Sequence, residues 1–248
     1  LGRDCDLDAL IRRVDEDRWL ASRFAPAPVR DRLIAIYAVN YEIARTAESV
    51  REPALGAIRL QWWREALAGI AQGKSASEHP ALAAYARAHR GDAMTTVLWD
   101  ELISARHADL EPAPFDTVVG WDDYLAATAG NLMRLAIGAC EADAASEAND
   151  RLAFYSGWIW GCAGLLRAEA HWAARGRSFI PRQGPSASRL RERAASAIAE
   201  LRALPRPEAR VFPAVGYVKL AAGYLRSRDQ PMILRQIKLI AAAATGRI

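Results

Sequence analysis

Lysine is nearly missing from this chain. Of 33 Lys and Arg residues only Lys74, Lys219 and Lys238 are lysine, so arginine carries the basic side. With 29 Asp and Glu the formal net charge is +4 and the pI about 9.1. A GC-rich genome produces such a bias, and the same excess suits a phosphate-bearing ligand or an anionic membrane face. No basic patch is interleaved with aromatics and no DNA-reading motif occurs, which argues against nucleic acid. Cysteine is also scarce. Cys5, Cys140 and Cys162 are odd in number, scattered and without a CxxC pair, as expected of unpaired, mostly buried thiols in a reducing compartment. The longest uncharged run, Leu152 to Leu166, is short for a bilayer and holds Gly157, Gly161 and Gly164, so a buried helix is expected. The acidic start (Asp4, Asp6, Asp8) does not resemble a secretory leader, and a cytoplasmic location, at most peripheral at the inner membrane, is expected. His79, His89, His107 and His171 lack metal-ligand spacing, and no nucleophile elbow, P-loop or dinucleotide fingerprint occurs. Internal repeats and low-complexity tracts are absent.

What remains is helical. The chain has 248 residues, 52 % hydrophobic and 25 % charged, enough to bury a substantial core. Leu33, Ile36, Tyr37, Tyr41 and Ala44 share one helix face, and Leu60, Trp63, Leu67 and Ile70 another. Leu125, Leu132, Leu135 and Ala136 lie on a third helix, with Asp122 or Asp123 placed to cap it. The spacing predicts helices near 6–23, 28–49, 54–72, 78–90, 93–108, 119–140, 147–175, 187–203 and 213–244, the last broken around Pro231. No break resembles a flexible linker, although Leu204-Pro205-Arg206-Pro207 is the most plausible internal boundary. One all-α domain of packed helices over residues 1–248 is expected. Asp15-Glu16-Asp17 reads as a solvated helix face, and 217–248 as either a basic amphipathic membrane helix or, preferred, a packing helix with a charged outer face.

Five segments in order carry a resemblance: Ile34-Ala35-Ile36-Tyr37-Ala38-Val39, Leu60-Gln61-Trp62-Trp63-Arg64-Glu65-Ala66-Leu67, His79-Pro80-Ala81-Leu82, Tyr124 to Gly130, and Gly164 to Pro181 with Arg167 and Arg175-Gly176-Arg177. Together they resemble the squalene/phytoene synthase family. The resemblance runs from about Trp19 to Pro181. It implies an isoprenoid-synthase-like helical bundle around a central cavity, in which family enzymes join two prenyl diphosphates head to head. There, Asp-rich motifs on facing helices hold Mg²⁺, a hard cation that neutralises the leaving diphosphate.

Residue by residue, this chain departs from that pattern. The first motif falls on Ala44, Arg45 and Glu48, with Tyr41 at the family's Arg; the second falls on Ala168, His171 and Trp172, with Gly164 at the usual Asn. Glu169 and Glu42 stand one and two residues away from lost acids, turned by about 100° per residue along a helix. Carried over from the family, the ligand-binding set is Tyr37, Tyr41, Trp63, Tyr124, Arg167 and Arg177, with no catalytic residue and no metal ligand assigned. Trp62, Trp63, Trp158 and Trp160 also read as core or cavity wall. Arg175 and Arg177 read first as helix-end cations around a C′ Gly176, whereas for Arg167 phosphate binding and a structural role stand equal. Through the run Glu42-Ile43-Ala44-Arg45, the segment Arg51-Glu52-Pro53 and the pairing of Leu166-Arg167 with Arg175-Gly176-Arg177, the chain resembles a branch of the family that includes relatives of the mitochondrial complex I assembly factor. That resemblance implies a non-catalytic protein with no cofactor, acting in respiratory complex assembly with a protein partner, in isoprenoid or lipid binding, or in contact with a membrane surface. The alternative is an active Mg²⁺-dependent prenyltransferase of squalene/phytoene synthase type.

Overall fold

A computed structural model describes residues 6–75, 78–89, 93–226 and 230–248; Asp4, Cys5 and Arg228 lie outside these. Helix α1 (Leu7–Val14) starts at Asp6, whose carboxylate accepts from the Ala9 N–H at 3.1 Å. The single helix expected over 6–23 breaks at Asp15 (φ −147°, ψ 61°), and α2 (Glu16–Ser22) follows. No glycine or proline causes that break. The Asp15 carboxylate instead binds Arg18 at 2.5 Å, a local ion pair three residues apart that periodicity does not register.

Helix α3 (Ala27–Ala44) has Pro28 in its first turn and buries every residue from Leu33 to Asn40, the mark of a central helix. It stops short of the expected residue 49: Arg45 (φ −79°, ψ 0°) leads into the short α4 (Thr46–Ser49). Helix α5 is Pro53–Ala71 and α6 is Pro80–Ala88, where His79 Nδ1 accepts from the Ala81 N–H at 3.3 Å. Helix α7 (Ala93–Ala105) runs into a 3₁₀ segment, Arg106–Leu110.

The helix expected over 119–140 contains a wide turn. Helix α8 (Val118–Leu125) passes through a π-helical turn at Ala126–Gly130 into α9 (Asn131–Ala139). Thr128 Oγ1 binds the Tyr124 carbonyl at 2.6 Å inside that turn. Thr117, rather than Asp122 or Asp123, caps α8; Asp122 is taken up by Arg193 at 2.8 Å and by the Trp158 indole N–H at 2.8 Å.

Helix α10 (Glu147–Ala173) is the spine, packed against the π turn, α9 and α11 (Ala187–Ala203). Its glycines do not break it. A Cβ on Gly157 would lie 2.5 Å from Gly130 Cα, so two backbones touch there; Gly164 faces open space. The C-terminal part continues through α12 (Phe212–Val215), a 3₁₀ segment (Gly216–Leu220), α13 (Ala221–Arg226) and, after Pro231, α14 (Met232–Thr245).

The preferred expectation for the tail, a packing helix with a charged outer face, does not fit α14. Arg235 turns inward to Asp17 (2.7 Å) and Glu16, and Lys238 to Gln230 (2.6 Å), while Ile233, Ile237 and Ile240 are exposed. The outer face is therefore apolar rather than charged. Among the described residues there is no β-strand, only an isolated bridge between Thr117 and Gln183, and no helix is long and apolar enough to cross a membrane.

Candidate functional site

The two helices that carry the motif positions, α3 and α10, are bridged by one cation. The Arg18 guanidinium lies 5.5 Å from the Tyr37 ring centre on α3, 5.9 Å from Trp160 on α10 and 5.0 Å from Tyr217. Its Nε donates to Tyr217 Oη at 3.1 Å, and Tyr217 Oη in turn lies 3.7 Å from Met133 Sδ. Burial pulls the Arg18 pKa down, but Asp15 and the two tyrosine hydroxyls outweigh it, so the guanidinium stays charged. Burial pushes the Tyr37 hydroxyl well above its ordinary pKa, and its oxygen has no hydrogen-bond partner among the described residues.

From Arg18 a cleft of about 700 Å³ opens between the α1–α2 corner, α10 and the α13–α14 region. Four arginines (Arg13, Arg18, Arg167, Arg235) and three carboxylates (Asp15, Glu16, Asp17) line it. All three carboxylates are engaged: Asp15 by Arg18, Glu16 by Arg235, and Asp17 by Arg235 and the Tyr224 hydroxyl at 2.6 Å. Asp17 is buried, which corrects the reading of Asp15-Glu16-Asp17 as a solvated face. The Arg167 guanidinium sits over the Tyr224 ring, 4.3 Å from its centre, and neither it nor Arg13 has an ion-pair partner among the described residues. The cleft thus presents two uncommitted guanidinium groups, a donor set suited to an anion. Burial and the bond to Asp17 push the Tyr224 hydroxyl up to about 12, so it stays a donor.

The other expected residues separate into three places. Tyr41 stacks under Arg45 (5.5 Å), which also reaches Glu42 (3.5 Å); Glu48 is exposed on α4 and Ala44 is half-buried. At the far end of α10, His171 meets Arg175 (3.0 Å), and Trp172 packs between Phe179 (5.2 Å) and the Arg177 guanidinium (5.0 Å), with Ala168 half-buried. Trp63 is fully buried against His79, 4.9 Å between rings.

Tyr124 belongs to a buried network. Its hydroxyl donates to Asp109 (2.7 Å) and accepts from Arg106 (2.8 Å), while Arg177 caps the backbone carbonyls of Asp109 and of Glu111 (3.1 Å). Of the expected ligand set, only Arg167 lines the cleft, and Tyr37 stands directly behind it through Arg18. Sequence reasoning missed Arg18, Tyr217 and Tyr224. For Arg18 a signal existed: it stands seven residues after Ile11 and three before Ala21, on the buried stripe.

The fold family implies Mg²⁺, and the residues at the matched positions do not suit it. Ala44, Arg45, Ala168, His171 and Trp172 offer no carboxylate, Glu48 is exposed, and Glu169 faces Arg191 at 3.9 Å. Among the described residues no three His, Cys, Asp or Glu side chains gather as a metal-ligand group.

The architecture is an all-α, isoprenoid-synthase-like fold. It matches a crystal structure of a dehydrosqualene synthase in complex with ligand with a TM-score of 0.74 at 14% identity, over 98% of this chain and 95% of that one. The squalene/phytoene synthase family model matches residues 11–190, and the chain belongs to that family. Among curated relatives it is similar to NADH dehydrogenase (ubiquinone) complex I, assembly factor 6, from Bos taurus (26% identical over 175 residues) and from Homo sapiens (24% over 175 residues). These alignments cover 69% of this chain and 51% of the relatives, so the chain spans about half their length.

Proposed function

We propose that this family member works without prenyl-transfer chemistry, as a scaffold in respiratory complex I assembly. One observation carries the first half: the positions matched to the family's acids, Ala44, Arg45, Ala168, His171 and Trp172, hold no carboxylate on either side. Without those carboxylates a hard divalent cation has no ligand set there, and loss of the metal forfeits several kcal/mol of leaving-group stabilisation. The second half rests on the similarity to the complex I assembly factors. In this reading the cleft holds the anionic end of an isoprenoid or lipid on Arg13 and Arg167, and the exposed Ile233, Ile237 and Ile240 of α14 meet a partner or membrane periphery.

The test is genetic. Deleting the coding gene in its own organism should reduce assembled complex I on native gels, and the chain carrying Glu48→Ala should restore it. Normal complex I after deletion would overturn the assembly role. Rescue that depends on Glu48 would return the chain to the Mg²⁺-dependent synthases.

A further inference from the structure

The opposite end of α10 holds a second cavity. Leu152 stands twelve residues before Gly164, about 18 Å away along the helix. There a cavity of about 470 Å³ is lined by Arg202, Arg206, Lys219 and Arg247 together with apolar residues that include Leu152 and Leu204, and among the described residues no acidic side chain lines it. The fold brings these cations together from distant parts of the chain. Arg202 lies in the last turn of α11, and Arg206 sits between Pro205 and Pro207, where each proline restricts the backbone. Lys219 comes from the 3₁₀ segment, and Gly246, at φ +63°, ends α14 and turns Arg247 and the buried Ile248 back on to Arg206.

None of the four cations has an ion-pair partner among the described residues, unlike Arg18 and Arg235 in the first cleft. They equal the whole net charge of the chain, because the remaining 29 cations match the 29 acids. Converging like charges oppose folding, and an anion bound among them removes that repulsion. Lys219 registers the strain: burial first, then Arg202 and Arg247, lowers its pKa.

We propose that this cavity binds a phosphate group, with the two or more guanidinium forks and the Lys219 ammonium holding its oxygens and any attached chain lying along Leu152 and Leu204. The proposal does not depend on the reading of the first cleft.

The three lysines make the test direct. In the full chain labelled with ¹³C-lysine, the side chains of Lys74, Lys219 and Lys238 are followed through their titration. Inorganic phosphate, at ionic strength matched with chloride, should raise the Lys219 pKa and leave the other two in place. The double variant Arg206→Ala/Arg247→Ala, at two exposed positions, should bind phosphate roughly tenfold or more weakly while keeping a folded lysine spectrum. A second arm compares dihexanoylphosphatidylglycerol with dihexanoylphosphatidylcholine, both below micelle formation. A response to free phosphate assigns a soluble phosphate ester, and a response to phosphatidylglycerol alone assigns a lipid headgroup. If neither moves Lys219, or if the double variant binds as tightly as the parent, the proposal is overturned.

Discussion

Arg18→Ala should be among the most destabilising single substitutions in this chain. The side chain is 10 % exposed, bound to Asp15 at 2.5 Å and to Tyr217 at 3.1 Å, and enclosed by three aromatic rings. Removing one partner of a buried ion pair costs about 3–5 kcal/mol. Asp15 is 23 % exposed and regains some water, which favours the lower end, about 3 kcal/mol. Loss of the cation–π contacts adds about 1 kcal/mol, for a total of about 4 kcal/mol. Arg18→Met with Asp15→Asn leaves no buried charge unpaired and should cost only about 1–2 kcal/mol. Urea unfolding followed by tryptophan fluorescence gives both values. A loss below about 1 kcal/mol for Arg18→Ala, or equal losses for the two variants, would refute the picture of a desolvated cation bridging α3 and α10.

Two glycines of α10 should respond with opposite signs to alanine. Gly157→Ala meets the backbone of Gly130 and Ala129 at 2.5–2.9 Å and should cost about 2–3 kcal/mol, whereas Gly164→Ala meets nothing and should gain about 0.5–1 kcal/mol, both read as shifts in thermal midpoint. Arg177→Ala should cost about 2 kcal/mol, because the carbonyls of Asp109 and Glu111 lose their donor, and Arg177→Lys should recover less than half in the same melts, since lysine lacks the planar fork. Burial pushes the Cys140 and Cys162 thiols up to about 12, against 9.0 for free thiols. Between those values the native state holds protons that the unfolded state has released. This contribution to stability is therefore full below pH 9 and is lost as pH rises toward 12, a fall that Cys140→Ala should lessen in urea titrations. At pH 8 a Cys5→Ser chain should not react with a thiol reagent until it is unfolded.

The helices were readable because period 3.6 and punctuation agree. Pro28, Pro53, Pro80 and Pro231 stand at helix starts, and Ser146 and Ser186 cap α10 and α11 through the Asn149 and Arg189 N–H groups. The departures all arise from contacts distant in sequence or from single turns that periodicity does not register. Asp15 leaves the helix to hold Arg18, the chain turns at Arg45 without a proline or glycine, and the π turn lets Gly130 meet Gly157. Charged residues were the hardest to place. Composition alone reads Asp17, Arg18 and Arg235 as surface, yet the pairing of Asp17 with Arg235 and of Arg18 with Asp15 puts Asp17 and Arg18 inside. The same blindness hid the outer face of α14, whose cations were expected to point outward and instead turn in to Asp17, Glu16 and Gln230. For the site, the family motifs located α3 and α10, but the residue between them comes from α2, outside every motif.

Turnover is the most direct test of the claim that the chain works without the family's metal-dependent chemistry. The purified chain, incubated with farnesyl or geranylgeranyl diphosphate and Mg²⁺, should release no diphosphate beyond the protein-free control, and calorimetry should detect no Mg²⁺ binding. Diphosphate release that vanishes with Glu48→Ala would contradict it.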